Sequence, residues 1–201
     1  GGCTITLSHL APFVRDSYNF YKKRYSKLVQ DKHLVETLVQ NSLNKEIEAA
    51  VQPFNYQINS TSTTNGQAPF VSVFMYIDEN PEYKKETVML IEEFLKQRIK
   101  GMKNRTGHYV TQAFPKLIYC LDEDNIHEDS EYYWLTKLAV KSTAKRMNPD
   151  YVSAKIMKEY KEAIKDMKID NNLNTAKKTS KWKPGYEYYS KTQKSVYLYD
   201  L

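Results

Sequence analysis

The chain has no apolar run approaching the roughly 18 residues that a membrane-spanning helix requires. No membrane partner is expected, and a cytoplasmic location is. Residues 1–14 lack a basic stretch followed by an apolar one, so no secretory signal is read there. The chain opens on Gly1-Gly2 without a methionine, and the expectation is that a preceding segment is missing. Cysteine is scarce: Cys3 and Cys120 make neither a disulfide framework nor a zinc site. Both are read as buried structural thiols, Cys120 inside a strand. The six glycines form neither G-x-x-x-x-G-K-[ST] nor G-x-G-x-x-G, which excludes the common phosphate-cradling loops. Four histidines (His9, His33, His108, His127) are scattered without ligand spacing and read as surface or capping residues.

What is present describes a globular protein. The 201 residues are 41% hydrophobic and 27% charged, enough for a packed core. The net charge is +6. Residues 161–201 hold nine lysines against five acids, a net of +4, so most of the excess lies in the tail. Such a tail is a solvated segment or a contact for nucleic acid or another polyanion.

Periodicity orders the rest. Leu10, Phe13, Val14, Tyr18, Tyr21 and Tyr25 recur at spacings of three and four, which predicts a helix from about Ala11. Leu34, Leu38, Ile47, Ala50 and Val51 continue the helical pattern, and Pro53 should interrupt or kink it. Residues 69–77 form a nearly continuous apolar run, the pattern of a strand buried on both faces of a parallel sheet. Residues 82–100 predict an amphipathic helix with Gly101 just beyond its end. Residues 113–121 read as a second strand, and residues 122–129 as an acidic turn. Ser130 is the expected cap of a helix to about Met147, and Tyr151 opens a third strand. Strand, helix, strand, helix, strand over 69–154 is a pair of βαβ units and predicts a parallel α/β sheet.

The polar segment from Asn59 to Gln67 precedes a buried strand. Its amides and hydroxyls suit a polar ligand, and the same composition suits a purely local turn. Asn65 and Gln67 are the candidate substrate-binding residues. No catalytic or metal-ligating residue is assigned.

Several strings resemble the anaerobic, class III glycyl-radical ribonucleotide reductases. They are Gly1-Gly-Cys-Thr with Leu10-Ala-Pro-Phe-Val14, Thr64-Asn-Gly-Gln-Ala-Pro-Phe70, Lys96-Gln-Arg-Ile-Lys-Gly101, Phe114-Pro-Lys-Leu-Ile118 and Ala144-Lys-Arg-Met-Asn-Pro-Asp-Tyr151. They occur in the family's order and cover residues 1 to about 160. The resemblance implies N-terminal helices followed by βαβ units as part of a ten-stranded α/β barrel. It implies radical reduction of ribonucleoside triphosphates with formate, and a homodimer carrying nucleotide effectors and zinc. It implies a glycyl radical installed by an S-adenosylmethionine iron–sulfur activase. The expected division is a partial barrel domain over 1–160, helical over 1–60 and βαβ over 61–160, then a divergent Lys- and Tyr-rich tail over 161–201. Where the family places a string bearing a catalytic cysteine, this chain has Glu162-Ala-Ile-Lys-Asp-Met-Lys168. No family catalytic residue carries over. The expectation is a reductase fragment, inactive alone and dependent on the remaining part of the reductase. The competing reading is a non-enzymatic fragment whose basic tail binds nucleic acid.

Overall fold

The computed structural model describes residues 2–62, 66 and 69–169. The chain divides into two units, Gly1–Tyr151 and Val152–Leu201. The expected tail lies largely outside the described residues.

The first unit begins with a strand that helical periodicity does not reveal. β1 (Gly2–Thr6) is five residues long and pairs in parallel with β2 (Phe70–Met75), Gly2 opposite Phe70 and Thr6 opposite Phe74. Against the expectation of a helical segment over 1–60, a strand precedes the two helices. The strand is too short for its alternation to stand out, and β2 supplies its hydrogen bonds. Cys3 is exposed rather than buried. It sits near the start of β1, at an end of the described sheet, where β2 pairs one side only.

α1 (Ala11–Tyr25) and α2 (Lys32–Ser60) follow. Asp31 caps α2, its carboxylate accepting from His33 N at 2.8 Å and Leu34 N at 3.3 Å. Pro53 lies inside α2 and does not end it. An interior proline costs roughly 3 kcal/mol through a lost hydrogen bond and a ring clash. Here Pro53 is exposed, so water can satisfy the freed carbonyl, while Val51, Asn55 and Ile58 bury the opposite face.

β2 leads through short turns at Ile77–Glu79 and Pro81–Tyr83 into α3 (Lys84–Lys100). A hairpin of β3 (Met102–Lys103) and β4 (Tyr109–Val110) precedes β5 (Lys116–Leu121). β2 and β5 are parallel, Val73 opposite Leu117, with α3 between them in the chain, as a βαβ unit requires. The acidic turn contains a short helix, α4 (Glu123–Ile126). α5 (Tyr133–Arg146) starts three residues after Ser130, which does not cap it; the Ser130 hydroxyl donates to Glu123 O at 2.6 Å instead. β6 (Asp150–Ser153) completes the sheet order β1-β2-β5-β6. In the second unit, α6 (Ala154–Ile169) follows.

Val73, Met75, Leu117 and Tyr119 pack with residues of α1, α2, α3 and α5 in one cluster that includes Leu7, Leu43, Ile91, Leu95 and Leu135. Ser72, Phe74 and Cys120 alternate to the other face of the sheet and are buried too. β2 is thus buried on both faces, as its unbroken apolar run predicts.

One polar contact ties α1 to α3. Arg15 Nη2 donates to Glu86 Oε2 at 2.9 Å and to Glu82 O at 3.0 Å, and Nε donates to the other Glu86 oxygen. Glu86 is buried. Arg15→Ala leaves that carboxylate without its partner, and the expected loss is about 1–3 kcal/mol. Chemical denaturation checks it; a change below about 0.5 kcal/mol would mean the pair does not couple the two helices.

Candidate functional site

Parallel α/β sheets bind ligands beyond the carboxyl ends of their strands, where the chain leaves the sheet in irregular turns. In this chain β1, β2 and β5 deliver polar side chains there. Thr6 ends β1 and Ser8 follows in a single helical turn; both are buried. Their hydroxyls donate to the same oxygen of Glu79, Ser8 at 2.9 Å, and lie 3.3 Å apart. Glu79 comes from the turn after β2, so this contact joins residues more than seventy positions apart. Tyr76, just past β2, donates its hydroxyl at 2.9 Å to Asp122, just past β5. Asp122 also accepts from Glu123 N at 2.9 Å as the cap of α4, while Asn125 accepts from Asp122 N at 3.0 Å. Lys84, at the start of α3, bridges Asp78 at 3.2 Å and Asp124.

Burial, then the Asp122 acceptor, drives the Tyr76 phenol far above its ordinary value, so it remains a donor. Burial pulls the Lys84 ammonium down, but Asp124 and Asp78 outweigh it and leave the group above an ordinary lysine. Beside it lies a cleft of about 380 Å³ lined in part by Arg15, Lys85, Glu131 and Tyr132. Chemically the cluster offers carboxylate acceptors held by hydroxyls, one fixed phenol donor and one ammonium. That donor and acceptor set suits a hydroxyl-rich ligand. Among the described residues, no three His, Cys, Asp or Glu side chains gather as metal ligands.

Asn65 and Gln67 precede β2 in the chain and lie outside the described residues. Their flanks are described. Asn59, near the end of α2, donates to Phe114 O at 2.6 Å, and Phe70 meets the Phe114 ring edge to face at 5.2 Å. Both sides of the polar segment therefore rest on one residue. Two arginines extend this joint. Arg98 donates to Gln112 O at 2.6 Å and to Pro115 O, and Arg146 donates to Ile99 O at 3.2 Å and Lys100 O at 2.9 Å. Lys116 pairs with Asp150 at 3.5 Å. The strings around residues 96–101, 114–118 and 144–151 thus meet in space.

Sequence reasoning does not single out Thr6, Ser8, Tyr76, Glu79 or Lys84. The available signal is acids placed directly after each strand, Asp78 and Glu79 after β2 and Asp122 after β5. By composition alone the latter reads as a solvated turn.

Comparison with known proteins gives one consistent answer. The family model described as anaerobic ribonucleoside-triphosphate reductase matches residues 1–180. The anaerobic ribonucleoside-triphosphate reductase of Enterobacteria phage T4 is 32% identical over 142 residues, 68% of this chain and 22% of that protein. Its counterpart in Escherichia coli K12 is 32% identical over 158 residues, 76% of this chain and 21% of that protein. The Haemophilus influenzae counterpart is 29% identical over 157 residues. The chain spans about a fifth of the length of these relatives.

Proposed function

This chain belongs to the anaerobic ribonucleoside-triphosphate reductase family, and we propose that it is one segment of that enzyme's α/β barrel, competent in ribonucleotide reduction only with the remainder. The observation that carries this reading is the family match over residues 1–180 by a chain about a fifth as long as its relatives. The parallel β1-β2-β5 sheet supports a place in a ten-stranded barrel. Phe13, Phe20 and Leu28 are 68%, 61% and 72% exposed, which supports further cover from other parts of a longer protein or a second subunit.

In this reading the substrate is a ribonucleoside triphosphate. Asn65 and Gln67, which precede β2, offer amides to it, whereas the Glu79, Thr6 and Ser8 cluster lies past the other end of that strand and is a separate polar site. A glycyl radical, installed by an S-adenosylmethionine iron–sulfur activase, supplies the radical chemistry in the assembled enzyme, with formate as reductant. Nucleotide effectors, a homodimer and a cytoplasmic setting belong to the same proposal. Zinc finds no donor set among the described residues. Cys120 is fully buried within β5 and Cys3 is exposed in β1.

The purified chain, supplied anaerobically with activase, S-adenosylmethionine and formate, is expected to yield no deoxynucleotide and no glycyl-radical resonance. Either signal from this chain alone overturns the segment reading. A chimaera of the Escherichia coli relative carrying this chain's matched stretch is expected to retain reduction. A folded but inactive chimaera counts against the reductase reading.

A further inference from the structure

Between Glu93 and Asp122 the chain contains no acidic residue, yet Lys96, Arg98, Lys100, Lys103, Arg105 and Lys116 all fall there. The same holds between Glu131 and Asp150, where Lys137, Lys141, Lys145 and Arg146 lie. The fold brings the two acid-free stretches together at the β3–β4 hairpin. Arg146 donates to Lys100 O at 2.9 Å and to Thr111 Oγ1 at 3.2 Å, on either side of the hairpin. Gly101, with φ +81°, packs so closely that a Cβ would stand 2.6 Å from Val110 O and 2.7 Å from Arg146 Nη2. The turn is closed by Asn104, whose side-chain oxygen accepts from Thr106 N at 3.0 Å and His108 N at 2.9 Å. The hairpin is therefore held in place at its base and at its tip.

What it presents is mixed. Lys100, Lys103, Arg105, His108 and Lys145 are exposed or half-buried. Tyr109 is 47% exposed, Val110 38%, and Met147, directly after Arg146, 90%. Exposed tyrosine, methionine and arginine beside basic side chains is the composition of a protein-binding patch.

We propose that the β3–β4 hairpin, with the adjoining end of α5, is a docking surface for an acidic segment of a second polypeptide that carries apolar side chains among its carboxylates. Charge complementarity selects an acidic occupant, since neither contributing stretch holds an acid of its own. The apolar residues select a polypeptide over a nucleic acid. Lys103 Nζ already lies 5.4 Å from the centre of the Tyr109 ring, covering a face that a base would need for stacking. Asn104 and His108 are bonded within the turn and have less to offer a base edge. A preorganised surface loses little ordering entropy on binding.

The test uses the full chain and a short fluorescent peptide of alternating glutamate and leucine, followed by fluorescence anisotropy. Its glutamine-for-glutamate counterpart and a labelled oligothymidylate are run beside it. The acidic peptide is expected to bind, more weakly as salt rises, and the glutamine peptide is not. Lys103→Glu with Arg105→Glu is expected to weaken binding by about tenfold or more, and Tyr109→Ala to weaken it without changing the salt dependence. Lys103→Gln with Arg105→Gln serves if the charge reversal fails to fold. Equal binding of the two peptides, or binding unchanged by the hairpin variants, overturns the proposal. Tighter binding of the oligothymidylate that is lost in the same variants also overturns it. None of these readouts depends on nucleotide reduction, so failure here leaves the reductase reading untouched.

Discussion

Arg98→Ala is expected to cost about 3–5 kcal/mol of folding stability, most of what holds a marginal domain together. Arg98 is 2% exposed. Its guanidinium reaches from α3 to Gln112 O and Pro115 O, carbonyls of the segment that leads into β5. Burial, and then the nearby charge of Arg146, pull its pKa down to about 10. A group held so unfavourably is kept because its planar fork serves two buried carbonyls at once. Alanine leaves both without that donor and opens a cavity where the stem was. Arg98→Lys recovers only part, since an ammonium cannot span both oxygens. Arg98→Met keeps the stem and isolates the hydrogen-bond contribution. Urea denaturation followed by circular dichroism measures all three. A loss below about 1 kcal/mol for Arg98→Ala would show that the carbonyls find other donors.

The second large effect is alkaline. Burial is the leading cause that raises Tyr76, Tyr119 and Tyr132, the last to about 12. The unfolded chain releases each phenol proton near pH 10, while the native chain keeps Tyr132 protonated to about 12 and the other two further still. In that window the native state binds more protons, so their contribution is complete below about pH 10 and falls as pH rises. Arg98 acts in the opposite sense: its native pKa lies below the ordinary value, so its penalty is relieved over the same window. One guanidinium opposes three phenols, and each group contributes about 1.4 kcal/mol for every tenfold difference in proton affinity between the folded and unfolded chain. The phenols prevail, and a net loss of at least about 2 kcal/mol between about pH 10 and about pH 12 is expected. Guanidinium denaturation across that range measures it. Tyr119→Phe should flatten the slope, since it removes a titrating group while leaving the buried ring. A flat profile in the parent chain would show that these phenols ionise freely in the folded state.

How much of this is legible in the sequence depends on whether the signal is local. β2 and β5 can be found because two-sided burial demands an unbroken apolar run, and α3 because one-sided burial demands a stripe. The parallel pairing follows from the helix between them. The family resemblance rests on strings such as Lys96–Gly101 and Phe114–Ile118, whose contact in the fold is not visible in them. β1 escapes because five residues hold too little alternation and their partner lies in β2. The continuation of α2 through Pro53 escapes because the outcome turns on which face is solvated. Cys3 reads as buried because a thiol beside glycines carries no record of being on an end strand. The cluster of Thr6, Ser8 and Glu79 joins residues more than seventy positions apart. Composition and periodicity determined the elements and the sheet type, because burial writes itself into neighbouring residues. Only the tertiary structure decided which carboxylate meets which hydroxyl and which arginine holds which carbonyl, because those partners are set by where the strands end.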